Sequence, residues 1–133
     1  MLTVFTNGVF DILHIGHVRY LQASRKLGDR LVVGINADAY VNKPGRPINT
    51  AEIRREMLLA LSCVDEVIIF YADTPLALIG SLQPDVVTKG GDYRKEDVVS
   101  GGVPVVIIPT VEGYSTTRLL RLQNGGCAKP CVK

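Results

Sequence analysis

The chain is poor in the features that mark several large classes of protein. It has three cysteines in 133 residues, and this odd number without a secretion signal does not suggest a disulfide framework. No apolar run approaches the roughly 18 residues of a membrane-spanning helix, and the N-terminus lacks the basic region of a signal peptide. The net charge of +2 is too small to indicate binding to nucleic acid or membranes. We therefore expect a cytoplasmic enzyme or binding domain.

Cysteine, serine and histidine also fail to combine into a covalent catalytic set. Cys63 lies in an apolar helical pattern and is expected in the core. Cys127 and Cys131 lie near the C-terminus without a third or fourth ligand for zinc. No Cys–His pair or Ser–His–acid set has a credible arrangement, so we expect neither a covalent intermediate nor a metal held by the protein.

Apolar strand-like runs alternate with helical patterns along the whole chain. Strands are predicted at 2–5, 30–35, 66–71, 85–88 and 104–108. Helices are predicted at 18–27 with Gly28 at its C′ position, after a Thr50 cap to about residue 62, and after a Thr74 cap, with Pro75 in the first helical position, to about residue 82. Further helices are predicted within 93–99 and after Ser115-Thr116. This order predicts an α/β fold with a Rossmann-like, parallel five-stranded sheet and helices on both faces. One domain should span 1–123, followed by a flexible tail over 124–133.

The turn after the first strand carries two histidines and two glycines. His14 and His17 are three residues apart, so their side chains can fall on the same side of the turn. Gly16 permits close approach of the backbone to a ligand, and the N-terminus of the next helix favours a phosphate. The alternative is a pair of histidines that cap a helix or pack in the core. Their position between a strand and a helix favours polyphosphate binding.

Other polar residues follow the second strand, where they would meet the histidine turn at one edge of the sheet. Asp38 comes directly after that strand, and Lys43 lies in a loop that could close onto phosphates or simply be solvated. Arg54 lies in the first turn of a helix, where a cation opposes the helix dipole. It could clamp an anion or form a salt bridge with Glu52 or Glu56.

Two further clusters follow the fourth and fifth strands. Gly90, Gly91 and Asp92 would let a flat ligand such as a base approach the backbone, or would form a plain turn. Ser115, Thr116 and Thr117 offer more hydroxyls than helix capping needs, which favours a second phosphate contact. A site rich in phosphate ligands and poor in nucleophiles suits nucleotidyl transfer, in which the substrates supply the nucleophile.

The sequence resembles a known superfamily at these positions. His14-Ile15-Gly16-His17, preceded by Gly8-Val9-Phe10-Asp11, resembles the H-x-G-H and G-x-F-D signatures of nucleotidyltransferases. The chain is also similar to the adenylyltransferase domain of bacterial heptose biosynthesis at Arg46-Pro47-Ile48-Asn49, Lys89-Gly90-Gly91-Asp92-Tyr93 and Tyr114-Ser115-Thr116-Thr117. The resemblance implies that a sugar 1-phosphate attacks ATP in line, giving an ADP-sugar and pyrophosphate. It also implies magnesium bound mainly through the triphosphate, a separate upstream sugar kinase and a homodimer.

The same resemblance assigns roles to individual residues. His14, His17 and Lys43 would be catalytic, and Asp11, Asp38 and Arg54 would bind the substrate. The nucleotide would contact Asn7, Gly8, Phe10, Gly16, Gly90, Gly91, Asp92, Ser115, Thr116 and Thr117.

Two other functions stay open. One is a CTP-dependent cytidylyltransferase acting on glycerol 3-phosphate or a similar polyol or amino-alcohol phosphate. The other is a non-catalytic nucleotide-binding module. The segment from Lys89 to Tyr93 favours the heptose branch over the first alternative, and the intact histidines, Lys43 and Arg54 argue against the second.

Overall fold

The structure, a computed structural model, describes residues 1–109. Its helices and strands are β1 (Thr3–Gly8), α1 (Ile15–Arg25), β2 (Arg30–Asn36), α2 (Ala51–Leu59), β3 (Glu66–Phe70), α3 (Leu76–Leu82), β4 (Val86–Gly90) and β5 (Val105–Ile108). Two short 3₁₀ turns lie at Asp38–Tyr40 and Lys95–Asp97. The predicted last helix, the domain end at 123 and the tail over 124–133 lie outside the described residues.

The five strands form one parallel sheet in the order β3-β2-β1-β4-β5. The chain builds outward from β1 to β3 and then crosses to β4 on the other side of β1. Ligands on such sheets bind outside the carboxyl ends of the strands, at the point where the strand order reverses. The predicted Rossmann-like fold is confirmed, and its reversal point lies between β1 and β4.

Successive strand residues point to opposite faces, and both faces are covered. Val4 packs into a cluster with Leu21 of α1 and Leu58 of α2, whereas Phe5 packs into a second cluster with Ile79 of α3. Helices α1 and α2 therefore cover one face of the sheet, and α3 covers the other. Burial on both faces explains why the strands read as continuous apolar runs.

The first predicted strand and helix both have wrong ends. β1 continues to Gly8 because Asn7 and Gly8 still pair with β2. α1 begins at Ile15 rather than at residue 18, which places His17 in its first turn. Gly28 is not at the C′ position, since the helix is capped at Lys26. A Cβ at Gly28 would lie 2.7 Å from the carbonyl oxygen of Leu2, so close chain approach explains this glycine.

The later elements need smaller corrections. α2 is capped by Thr50 as predicted but ends at Leu59. α3 begins at Leu76, with Pro75 as its cap residue rather than its first helical residue. The helix predicted within 93–99 is the single 3₁₀ turn Lys95–Asp97. β4 continues to Gly90 because its last residues pair with β5, which carries Lys89 to the carboxyl edge of the sheet.

Candidate functional site

The site lies where β1 and β4 end beside the N-terminus of α1. Thr6 of β1 is in register with Thr88 of β4. Asn7 and Lys89 follow these residues and are therefore neighbours across the sheet, although they are far apart in sequence. The histidine turn begins immediately after β1, so polar side chains from two segments that are distant in sequence meet at one edge of the sheet.

The two histidines cap α1 by a reciprocal pair of hydrogen bonds. His14 is the cap residue, and its Nδ1 accepts a hydrogen bond from the Gly16 N–H at 3.0 Å. His17 Nδ1 accepts one from the His14 N–H at 3.3 Å. This is the capping-box arrangement, formed here by two imidazoles. The two histidines therefore cap the helix, as the alternative interpretation has it, and each cap hydrogen bond uses the Nδ1 atom of its ring.

Capping also fixes the tautomer of both rings. A neutral imidazole whose Nδ1 accepts a hydrogen bond carries its proton on Nε2 and can donate from that atom. Burial lowers the pKa of His14. Burial, with the nearby charges of His14 and Lys43, lowers the pKa of His17 to about 4. The rings are stacked with their centroids 3.9 Å apart.

The Phe10 ring also contacts the second histidine. Its ring meets the His17 ring edge-on, with 5.4 Å between centroids. Its φ of +50° is uncommon for a residue other than glycine and is typical of strained positions near functional sites. A Cβ at Gly8 would lie 2.9 Å from the Phe10 ring, so glycine is needed there to seat that ring. Gly8 and Phe10, predicted as nucleotide contacts, thus have a clear part in positioning His17.

The Asp11 carboxylate is buried, at 1% exposure, and anchors the loop before α2. It accepts hydrogen bonds from Arg46 Nε at 2.5 Å and from the N–H groups of Ile48 and Asn49 at 2.8 Å each. Burial alone would raise the pKa of Asp11, but these donors outweigh it and lower the pKa. Because both oxygens are engaged, the geometry gives Asp11 an anchoring role in place of the predicted substrate contact.

Arg54 is also an internal anchor, with 0% of its surface exposed. Its guanidinium donates to the carbonyl oxygens of Asn49, Val9 and Asn36 and to Asp38 Oδ1, at 2.8 to 3.0 Å. These contacts join the histidine turn, the end of β2 and the start of α2. In this geometry Arg54 offers no surface to an incoming phosphate, so the predicted anion clamp is corrected to an anchor.

Asp38 completes this anchor. Its Oδ1 accepts hydrogen bonds from Arg54 and from the Ala51 N–H, the latter at 2.9 Å. An acidic group at a helix N-terminus is favourable, and here it holds the first turn of α2. The structure therefore gives Asp38, predicted to bind the substrate, a structural role as well.

Lys43 is exposed in the loop between β2 and α2. Its charge lowers the pKa of both His17 and Lys89, which places it within electrostatic range of these two residues. The loop is fixed to the histidine turn through Asp11 and Arg46. The structure thus brings the predicted catalytic lysine to the predicted site.

Lys89 belongs to this cluster, although the sequence pattern assigned it no role of its own. Its Nζ donates to the Asn7 carbonyl oxygen at 2.8 Å and lies 4.9 Å from the centre of the Tyr93 ring. Burial lowers the pKa of Lys89 to about 8; Asp92 opposes that shift and Lys43 adds to it. The sequence feature that could have identified Lys89 as a site residue is its position at the end of an otherwise apolar strand.

A buried group of hydroxyls lies beneath the site. Thr6 Oγ1 lies 2.5 Å from the Tyr20 hydroxyl, and Thr88 Oγ1 lies 3.2 Å from that hydroxyl and 2.9 Å from Ser24 Oγ. Burial raises the pKa of Tyr20. The group ties α1 to β1 and β4 one turn beyond His17, and the sequence pattern did not reveal it.

The remaining predicted residues divide into two sets. Gly16 lies in the first turn of α1, and Gly90, Gly91 and Asp92 follow Lys89 at the same edge. Ser115, Thr116 and Thr117 lie outside the described residues.

Between residues 1 and 109, no group of three or more His, Cys, Asp or Glu side chains could hold a metal ion. None of the helices in that range has the length and apolar character needed to cross a membrane.

The histidine pair predicts a pH dependence of stability. The pKa of His17 in the folded protein, about 4, is below its ordinary value, so the unfolded chain takes up a proton first as the pH falls. The free energy of unfolding should decrease from about pH 6.5 towards pH 4, with His14 acting in the same direction, and His17 should have no influence above about pH 7.5. Urea unfolding at about pH 7 and pH 4.5 measures this decrease. His17→Gln should show a smaller decrease than the wild type; an identical decrease would contradict the assignment.

Comparison with known proteins places these residues in context. Residues 5–121 match the cytidylyltransferase-like family. The chain is 50% identical over 126 residues to the bifunctional protein HldE of Syntrophotalea carbinolica, covering 88% of this chain and 26% of that protein. It is 49% identical over 131 residues to HldE of Hyphomonas neptunium, covering 92% and 27%. The chain thus spans about a quarter of the length of these relatives.

Two crystal structures have similar folds. The lipopolysaccharide core biosynthesis protein from Thermoplasma volcanium superposes with a TM-score of 0.70 at 32% identity, covering 86% of this chain and 99% of that one. Pantothenate synthetase from Thermus thermophilus superposes with a TM-score of 0.58 at 17% identity, covering 95% and 71%. The second likeness concerns the fold alone.

Proposed function

The chain belongs to the cytidylyltransferase-like family, and from that premise we propose that it transfers AMP from ATP to a sugar 1-phosphate, with heptose 1-phosphate as the acceptor. It is a nucleotidyltransferase related to the adenylyltransferase part of HldE, as its resemblance predicted. The observation that carries the proposal is the stacked pair His14 and His17 at the N-terminus of α1, with Nδ1 of each ring accepting a hydrogen bond from the backbone.

The proposed reaction is a direct in-line displacement. An oxygen of the sugar phosphate attacks the α-phosphorus of ATP and forms a new P–O bond. The bond from the α-phosphorus to the bridging oxygen breaks, and its electron pair leaves with pyrophosphate. No protein nucleophile is required, so the protein acts by positioning the substrates and stabilising charge.

The histidines supply donors where negative charge develops. Each Nε2–H can donate to an oxygen of the α-phosphate or of the leaving group, and the N-terminus of α1 adds its positive dipole end. Lys43 would bring a positive charge onto the phosphates from its loop. Because the lowered pKa of His17, about 4, leaves its ring neutral near pH 7, this ring can donate from Nε2 without a prior change of protonation.

Magnesium is proposed to bind through the triphosphate. Asp11 and Asp38 already accept hydrogen bonds from the loop and α2, so they fit their anchoring roles better than a metal site. When bound, the ion would neutralise part of the phosphate charge.

About half of the aligned residues are identical in this chain and HldE. This similarity favours ATP and a heptose phosphate over CTP and glycerol 3-phosphate as the substrates. Gly90, Gly91 and Asp92 are proposed to contact the base, and Ser115, Thr116 and Thr117 the phosphates. On the relationship alone, we also propose that a separate sugar kinase supplies the acceptor and that the assembly is a homodimer.

The test is pyrophosphate release in the presence of magnesium, with ATP or CTP combined with heptose 1-phosphate or glycerol 3-phosphate. We expect turnover with ATP and heptose 1-phosphate and little with the other three pairs. Turnover with CTP and glycerol 3-phosphate instead would reject the substrates while keeping the displacement chemistry. Tight ATP binding without turnover on a broad panel of phosphates would indicate a non-catalytic module.

A further inference from the structure

Lys89 is a partly buried lysine without an ion-pair partner in the described part of the chain. It lies at the end of β4. Asp92 is near enough to influence it electrostatically but does not pair with it within 4 Å. Lys43 adds a second positive charge to the same region. A partly buried ammonium group without an ion-pair partner is unfavourable unless an anion joins it.

The hydrogen bonds of Lys89 leave room for such an anion. An ammonium group has three N–H donors, and one of them donates to the Asn7 carbonyl oxygen. The other two have no acceptor within the described part of the chain. The Tyr93 ring, 4.9 Å from Nζ, restrains the side chain without using a donor. The ammonium is therefore held in place with donors to spare.

Its position relates these donors to the catalytic turn. Asn7, which accepts the Lys89 hydrogen bond, is the next-to-last residue of β1, and the segment from Val9 to His14 leads directly to α1. The charge of Lys43 acts on both Lys89 and His17, so the three groups lie within electrostatic range of one another. The reversal point of the strand order, between β1 and β4, is the same place.

We propose that Lys89 is a further phosphate-binding residue of this site and that its ammonium group contacts a phosphate oxygen of the bound nucleotide. This inference rests on the proposed nucleotidyl transfer but not on the identity of the acceptor. It adds a fixed cation, supplied by the sheet, to the loop cation Lys43. The two lysines would hold the phosphates from β4 and from the loop while the histidines donate from α1.

The test compares Lys89→Met with the wild type by calorimetric titration with Mg-ATP, inorganic pyrophosphate and adenosine. Affinity for Mg-ATP and for pyrophosphate should fall about tenfold or more, because a hydrogen bond to a charged group is lost. Adenosine affinity should not change, since adenosine has no phosphate. Lys95→Met is the matched control: Lys95 is an exposed lysine of the same connection, and its replacement should leave all three affinities unchanged.

Two results would overturn the proposal. Unchanged affinity for Mg-ATP and pyrophosphate would remove the phosphate contact, and a parallel loss of adenosine affinity would reduce Lys89 to a structural support for Asn7. If Lys89→Met does not fold, Lys89→Gln keeps a donor for Asn7 without the charge and should show the same selective loss. If the wild type binds Mg-ATP but does not use heptose 1-phosphate, the proposed acceptor is wrong. The titrations still decide whether Lys89 binds phosphate.

Discussion

Replacing His17 by alanine should lower kcat for pyrophosphate release about 100-fold or more while changing Mg-ATP affinity far less. The reason is that an Nε2–H donor acts mainly on charge that develops in the transition state. The ground-state triphosphate would still have His14, Lys43 and the helix N-terminus as partners. Loss of a transition-state contact therefore lowers kcat more than it lowers the affinity for Mg-ATP.

Steady-state kinetics and Mg-ATP titration of the same variant measure these two effects separately. His17→Ala also removes the hydrogen bond from the His14 N–H and the stacked ring, so thermal unfolding must show that the variant is folded. Arg19→Ala, an exposed position on α1, is the matched control and should have wild-type kcat. Equal losses of affinity and rate for His17→Ala would assign the ring to ground-state binding instead.

The histidine turn shows what a sequence pattern can predict. Spacing and position between a strand and a helix predict His14 and His17 as site residues, and both features are local in the sequence. The sequence did not reveal that the rings cap α1, since that depends on the helix beginning at Ile15. It therefore could not fix the tautomer, which determines the nitrogen available to a phosphate.

Asp11, Arg54 and Lys89 show why the rest could not be predicted. Asp11 meets a loop 35 to 38 residues away, and Arg54 bonds to Val9, 45 residues before it. Lys89 reaches Asn7 across 82 residues through the pairing of β1 with β4. A charged residue near a predicted site looks the same in sequence whether it faces a ligand or a buried carbonyl oxygen. The difference arises from long-range packing, which here converts two predicted substrate contacts into anchors.

The anchoring role of Arg54 predicts a large loss of stability in Arg54→Met. Methionine can fill much of the space, but the carbonyl oxygens of Asn49, Val9 and Asn36 lose a donor in a buried place. Each unsatisfied buried acceptor costs about 1–3 kcal/mol, so with three of them we expect the free energy of unfolding to fall by about 3 kcal/mol or more. That is a substantial part of the roughly 5–15 kcal/mol that stabilises a domain. Urea unfolding at neutral pH measures it.

Arg55→Met is the control for Arg54, because Arg55 is the neighbouring residue on α2 but is exposed and makes one hydrogen bond, to the Val67 carbonyl oxygen. Its replacement should cost about 1 kcal/mol or less. The comparison separates the two roles considered for Arg54. A substrate clamp would leave stability intact and raise KM for the sugar phosphate, whereas an anchor would lower stability and disturb the histidine turn and Lys43 loop together. A buried guanidinium bonded to three backbone carbonyl oxygens cannot be removed without loss of stability. If Arg54→Met is as stable as the wild type and only KM for the sugar phosphate rises, Arg54 is a substrate clamp and not an anchor.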